Sequence, residues 1–227
     1  MALGPFQVAE RLSAGKRERG VALLMRHGET AWNREGRVMG RQPVDLDEGG
    51  RAQVEMAVPL ARQLAPDLII SSPLARALQS AEIIARGLGG IDILTDERLE
   101  EVRYGSWEGM TYHQLVKDER YIAYRKAPLE SATPGGETIR QVQQRGVAAV
   151  DAAVTAHRGK RILFISHGDI IRTVLCHYLV LDLRHFHRLR VDNATFFGVE
   201  ISDDFAEVKF LNLLPDPSRA FRSPFPK

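Results

Sequence analysis

The sequence predicts a three-layer α/β/α fold with a mostly parallel central sheet, on three observations. Short apolar runs without strict alternation recur at 21–25, 67–71 and 161–166, the pattern of strands buried on both faces. Apolar residues at helical spacing lie between them, and strands alternating with helices build parallel sheets covered on both sides. The 227-residue chain is 44% hydrophobic and 26% charged, the composition of an ordinary globular domain whose core needs no staples.

Each element follows in order. Residues 21–25 (Val-Ala-Leu-Leu-Met) come after a glycine and read as the first buried strand, and 67–71 (Asp-Leu-Ile-Ile-Ser) as the second. After Pro73, residues Ala77, Leu78, Ala81, Ile84, Ala85 and Leu88 lie at helical spacing until Gly89-Gly90 stops the run. A strand is expected over 91–95. Ile139, Val142, Val147, Val150 and Val154 trace one face of a long helix closed by Gly159. The strand at 161–166 follows, then a helix traced by Ile170, Ile171, Val174, Leu175, Tyr178 and Leu179. Two strand-like runs, 195–201 and 206–213, flank Ser202-Asp203-Asp204 and predict a hairpin. No repeat or linker divides the chain. The expected organisation is an N-terminal extension (1–19), one domain (20–214) and a Pro-rich tail (215–227).

Composition narrows the function classes. With 31 Lys+Arg against 29 Asp+Glu the net charge is +2, which argues against a dedicated nucleic-acid binder, while a pI near 8.8 leaves room for a local basic site. The single cysteine, Cys176, excludes an internal disulfide framework and a Cys-rich zinc site. No stretch reaches the roughly 18 apolar residues of a membrane span. The first 20 residues mix Arg11, Lys16, Arg17 and Arg19 with Glu10 and Glu18, which is no secretory signal. A reducing, cytoplasmic location is expected.

Ligands of open α/β sheets sit at the carboxyl ends of the strands. After the first strand come Arg26-His27-Gly28-Glu29-Thr30, after the second Ser72-Pro73-Leu74-Ala75-Arg76, and after the strand at 161–166 His167-Gly168-Asp169. Two histidines and two arginines thus reach one sheet edge from separate strands, an electropositive site about one phosphate wide whose compensating carboxylates are expected mostly elsewhere. Guanidinium forks and imidazolium donors match the charge of a phosphoryl transition state. A neutral imidazole can act as the nucleophile, and a carboxylic acid must then protonate the leaving alkoxide. The carboxylates best placed for this lie in Leu99-Glu100-Glu101 through Trp107-Glu108-Gly109. Most of that crowded group, with Glu97, is expected on a solvated face, and Trp107 in packing. An arginine at a helix N-terminus opposes the dipole, so Arg76 is expected to face a bound anion. Asn33 reads as site residue or turn former, while Glu29 and Thr30 read equally as caps or site residues.

Arg26-His27-Gly28-Glu29-Thr30 with Trp32-Asn33 resembles the signature of the histidine phosphatase superfamily, the phosphoglycerate mutase-like fold. The resemblance continues in family order through Ser71–77, Leu99-Glu100-Glu101 with Gly105 and Trp107-Glu108-Gly109, Pro134-Gly135-Gly136-Glu137-Thr138, and Ser166-His167-Gly168. It implies His27 as nucleophile and Glu101 as proton donor. Arg26, Asn33, Arg76 and His167, with Gly168, would bind the phosphoryl oxygens. It implies no metal and no cofactor, and the sequence has no His-Glu-x-x-His motif, P-loop or Rossmann glycine fingerprint. The expected partner is a small phosphorylated metabolite rather than nucleic acid or membrane, with a homodimer left open. The phosphatase branch is favoured over a cofactor-dependent mutase, because 102–133 is short and lacks the Arg-Arg pair that such mutases tend to carry. A catalytically silent binding module would have lost one of these positions. Leu181-Asp182-Leu183 and Val191-Asp192-Asn193-Ala194-Thr195 resemble the C-terminal part of metal-independent phosphoserine and α-ribazole phosphatases, nominating those substrates. Lys117, Arg120, Arg125 and Lys126 read either as binders of an anionic substrate group or as surface charge. The remaining histidines read as surface (His113, His157, His185, His187) or as core or interface (His177), and Cys176 as a small buried hydrophobe.

Overall fold

A computed structural model describes residues 20–129 and 131–216. The expected extension 1–19, and all but the first two residues of the expected tail, lie outside the described residues. The strands are β1 (Gly20–Arg26), β2 (Leu68–Ser71), β3 (Ile93–Thr95), β4 (Arg161–Ser166), β5 (Phe196–Ser202) and β6 (Phe205–Leu213). They form one sheet in the order β3-β2-β4-β1-β5-β6. The first four are parallel neighbours, and β5 and β6 add an antiparallel hairpin edge beside β1. The helices are α1 (Ala31–Arg34), α2 (Glu48–Leu64), α3 (Ala75–Gly87), α4 (Tyr112–Leu115), α5 (Glu119–Lys126), α6 (Ile139–Ala156) and α7 (Gly168–Tyr178).

Alternation along the central strands sorts side chains into two apolar layers. Ala22, Leu24, Ile162 and Phe164 pack with Val142 and Val150 of α6 and Ile170 and Val174 of α7. Leu23, Met25, Leu163 and Ile165 pack on the opposite face with Val54, Ala57 and Ala61 of α2 and Ala77, Ala81 and Ile84 of α3. The three layers expected from the sequence are therefore present, with the core on both sides of β1, β2 and β4.

The third strand is shorter than the expected 91–95, beginning at Ile93. Helix α2 has no counterpart in the sequence reading. Its sequence carries Gly49-Gly50 near the start and Pro59 inside, residues that lower helix propensity. Gly50 is demanded by tertiary contact, since a Cβ there would stand 1.9 Å from the Glu29 carbonyl oxygen. The helix thereby presses on the loop that follows β1. Asp47 caps it, accepting the Gly50 N–H at 2.7 Å. His177 is exposed rather than buried, on the outer side of α7.

Candidate active site

The site is built on three adjacent strand ends. The His27 N–H donates to the Ser166 carbonyl at 3.0 Å and the Ser72 N–H to the Ile165 carbonyl at 2.9 Å, so β1, β2 and β4 deliver His27, Ser72 and His167 side by side. The two imidazoles lie 5.2 Å apart between centroids and 57° inclined. Both are almost wholly buried, as is Arg76. Arg76 reaches the site from the first turn of α3 and donates to the carbonyls of Gly40 (2.7 Å) and Gln42 (3.1 Å). Arg26 donates to the Val191 carbonyl at 2.8 Å.

Hydrogen bonding fixes what each imidazole can do. Nδ1 of His27 lies 2.6 Å from the Gly28 carbonyl oxygen. A carbonyl only accepts, so Nδ1 carries the proton and Nε2 keeps its lone pair. Burial, then Arg76 and Arg26, hold the His27 pKa well below its ordinary value, which keeps the ring neutral. His167 is likewise held neutral by burial, Arg76 and His27. Imidazolium, one of the donor types that would match phosphoryl charge, is thus disfavoured at both positions, by burial first and by Arg76 next, while the neutral form expected of a nucleophilic imidazole is favoured at His27. His167 Nε2 is 2.8 Å from Ser72 Oγ. Its Nδ1, together with Arg26 Nε and Arg76 Nε, is buried without a hydrogen-bond partner among the described residues. Burial lowers the Arg76 pKa to about 10, which still leaves it charged at neutral pH.

Glu101 lines the cavity shared by Arg26, Asn33 and Gly168. Burial and then Asp169 raise its pKa, against the opposing pull of the Val102 N–H, Arg76 and Arg26. Its loop is held from behind. The Arg145 guanidinium donates to the carbonyls of Arg98 (2.7 Å), Glu100 (2.5 Å) and Glu101 (3.1 Å) and pairs with Glu137 at 2.8 Å. Arg41 bridges Glu100 (2.7 Å) and Glu137 (3.2 Å). Glu100 and Glu108 therefore do not form the expected solvated face: Glu108 accepts the Tyr104 N–H at 3.0 Å and the Gln42 amide at 2.7 Å. Glu97 alone of that group is exposed.

Asn33 stands both in the turn and at the cavity. Its Oδ1 closes a capping box with Thr30 at the start of α1, while the residue lines the cavity. Thr30 is the cap, and Glu29 is tied to α2 by an exchange of hydrogen bonds with Gln53. Gly168 packs against Arg26: a Cβ there would meet Arg172 Nη1 at 3.3 Å and Arg26 Nε at 3.7 Å.

Sequence reasoning missed several residues of the site. Ser72 positions His167. Asn193 donates to the His27 carbonyl at 3.0 Å, and Ala194 takes a left-handed φ of 56° so that its N–H reaches the Arg26 carbonyl at 3.0 Å. Asp169 pairs with Arg172 at 2.5 Å and accepts the Tyr104 hydroxyl. Asp169, Asp192 and Glu101 all line the cavity, so compensating carboxylates are present at the site, not mostly elsewhere. His187 and Arg125 line it too, whereas Arg120 is spent on Asp118 at 2.9 Å. The cavity measures about 370 Å³, within the range of small-molecule sites. Among the described residues no group of three or more His, Cys, Asp or Glu side chains could hold a metal ion, and no helix is long and apolar enough to cross a membrane.

The family profile of the histidine phosphatase superfamily (branch 1) matches residues 22–214. The chain belongs to that superfamily. A Mycobacterium tuberculosis acid phosphatase is 34% identical to this histidine phosphatase homologue over 176 residues, 76% of this chain and 82% of the relative. A probable phosphoglycerate mutase of Escherichia coli is 31% identical over 182 residues, covering 79% and 84%. Among solved structures, an Entamoeba histolytica phosphoserine phosphatase variant bound to phosphoserine superposes with a TM-score of 0.76 at 25% identity, covering 85% of this chain and 96% of that one. These neighbours share the phosphoglycerate mutase-like fold.

Proposed function

We propose that this member of the superfamily is a metal-independent phosphatase that hydrolyses a small phosphomonoester through a phosphohistidine on His27. The observation that carries the reading is the neutral His27, its Nδ1 proton committed to Gly28 and its Nε2 lone pair free, in a ring whose protonation burial and the Arg76 and Arg26 guanidiniums oppose. Nε2 attacks phosphorus, and the bond from phosphorus to the ester oxygen breaks as Glu101 passes its proton to the departing oxygen. Water then attacks the phosphohistidine, gives a proton to the Glu101 carboxylate, and the Nε2–P bond breaks to release phosphate. Arg26, Arg76 and His167 supply fixed donors to the three equatorial oxygens, with no rearrangement needed as charge develops. Asn33 and the Gly168 backbone complete the wall of the phosphoryl site. The raised pKa of Glu101 suits a group that must first donate and then accept a proton.

The loop between Glu101 and Glu137 supports hydrolysis over phosphoryl return to a substrate hydroxyl, since it carries no Arg-Arg pair. A panel of phosphomonoesters, phosphoserine and α-ribazole phosphate included, tests the reading when run with chelator and followed for both inorganic phosphate and isomerised product. Phosphate release without isomer supports the phosphatase; isomerised phosphoglycerate as the main product would establish a mutase instead. Loss of activity on chelation would refute the metal-free step.

A further inference from the structure

The cavity lined by Arg26, Asn33, Glu101 and Gly168 is also walled by Tyr104, Tyr112, Tyr121 and Tyr124, four of the five tyrosines in the chain. Two of these hydroxyls are matched within the protein: Tyr104 donates to Asp169 and Tyr121 engages Arg125. Tyr112 makes a contact of its own. Tyr124 differs. The residue is 4% exposed, and its hydroxyl oxygen is buried with no hydrogen-bond partner among the described residues. Its ring cannot easily turn to find one, because it packs edge-on against Trp107 at 5.6 Å, and Trp107 is itself pinned by an indole N–H to Asp118 at 3.2 Å. A buried hydroxyl left unmatched is unfavourable, and such groups in folded proteins call for an explanation.

We propose that the Tyr124 hydroxyl is a specificity-determining contact for a hydroxyl group on the leaving-group portion of the substrate, so that the enzyme acts on phosphate esters of polyhydroxylated alcohols. The inference rests on the phosphatase reading and narrows its substrate class. Burial and the nearby Asp169 keep the Tyr124 phenol protonated, so it both donates and accepts. A substrate alcohol complements that pair of roles. At the phenol itself a substrate carboxylate is the poorer match, because Asp169 and Glu101 stand near it, Arg172 is committed to Asp169 and to the Leu189 carbonyl at 2.9 Å, and Arg125 is engaged with Tyr121. An alkyl chain would leave the phenol unmatched, and sites built around such a polar contact reject analogues that lack it.

The test compares polyol phosphates with n-alkyl phosphates of equal carbon number, together with phosphorylated carboxylic acids lacking a free hydroxyl, and p-nitrophenyl phosphate as a general substrate. Wild type should prefer the best polyol phosphate over its alkyl counterpart by roughly 100-fold in kcat/KM, and Tyr124→Phe should cut that ratio by about tenfold or more. The variant's melting temperature should equal or exceed that of wild type, since an unmatched buried hydroxyl has been removed. Three results would overturn the inference: no polyol preference, a Tyr124→Phe variant that slows both series equally, or a preference for the phosphorylated acids. So would a melting temperature several degrees below wild type, which would give the hydroxyl a structural partner. Hydrolysis of p-nitrophenyl phosphate separates the two levels. If it is absent the phosphatase reading fails as well; if it is present without polyol discrimination, only this inference fails.

Discussion

At the residue scale the chemistry turns on which atoms hold protons. In the proposed reaction His27 is suited to attack because the Gly28 carbonyl takes Nδ1, and burial and two guanidiniums discourage a second proton. Glu101 is suited to the proposed donor role for the opposite reason, because burial and Asp169 favour its protonated form. Glu101→Gln keeps the shape and removes the transferable proton, so kcat for alkyl phosphates should fall about 10²–10⁴-fold, and for p-nitrophenyl phosphate far less, because a good leaving group needs little protonation. Steady-state rates on the two substrate types check this, and equal losses would remove Glu101 from the donor role. Arg26, His27 and His167 were legible in the sequence because they end or directly follow a buried strand, and Arg76 because a cation in the first turn of a helix opposes its dipole. Ser72, Asn193 and Arg145 were not, since serine, asparagine and arginine in loops and helices carry no pattern until the fold sets them against a backbone carbonyl or an imidazole.

At the element scale the loops are held by a few specific contacts. Arg145 projects from α6 and gathers three carbonyls of the segment that carries Glu101. Arg145→Ala should destabilise the protein by about 2–3 kcal/mol through unmatched acceptors. It should also lower kcat on alkyl phosphates more than on p-nitrophenyl phosphate, as a displaced acid would. Denaturant melts and the paired rates read the two effects separately. Gly105 turns the same segment with a φ of 60°, and a Cβ there would stand 1.8 Å from the Pro134 carbonyl oxygen. Gly105→Ala should therefore cost at least about 1–3 kcal/mol, measured as a lowered denaturation midpoint, because both backbone strain and a hard contact oppose it. Strands β1, β2 and β4 and helices α3, α6 and α7 could be read from periodicity. Helix α2 could not, because its glycines answer to the β1 loop rather than to helix propensity, and α4 and α5 are too short for periodicity to register.

At the scale of the whole molecule, burying two neutral histidines couples folding to pH. Each has a folded pKa below 6.5, so the unfolded chain binds more protons than the native one below that pH. Stability is then fully present above about pH 6.5 and declines as pH falls toward the lowered folded values. Glu101 acts in the opposite sense, its raised pKa favouring the folded state as pH falls toward 4.5. Melting temperatures at pH 7.5 and 5.5 should accordingly differ less in His167→Asn than in wild type, and an unchanged difference would show that His167 is not held neutral. The near-balance of total charge concealed the site's organisation: Arg26 lines the cavity together with Glu101, Asp169 and Asp192, while Arg76 is buried beside the two histidines.

The central claim is a covalent phosphoryl group on His27, and rapid acid-free quenching during turnover followed by mass mapping of the peptide tests it most directly. The expected result is a phosphate that is stable in base, labile in acid, located on His27 and absent from His27→Ala, which should also show no turnover. Turnover retained by His27→Ala, or phosphate mapped to another side chain, would contradict it.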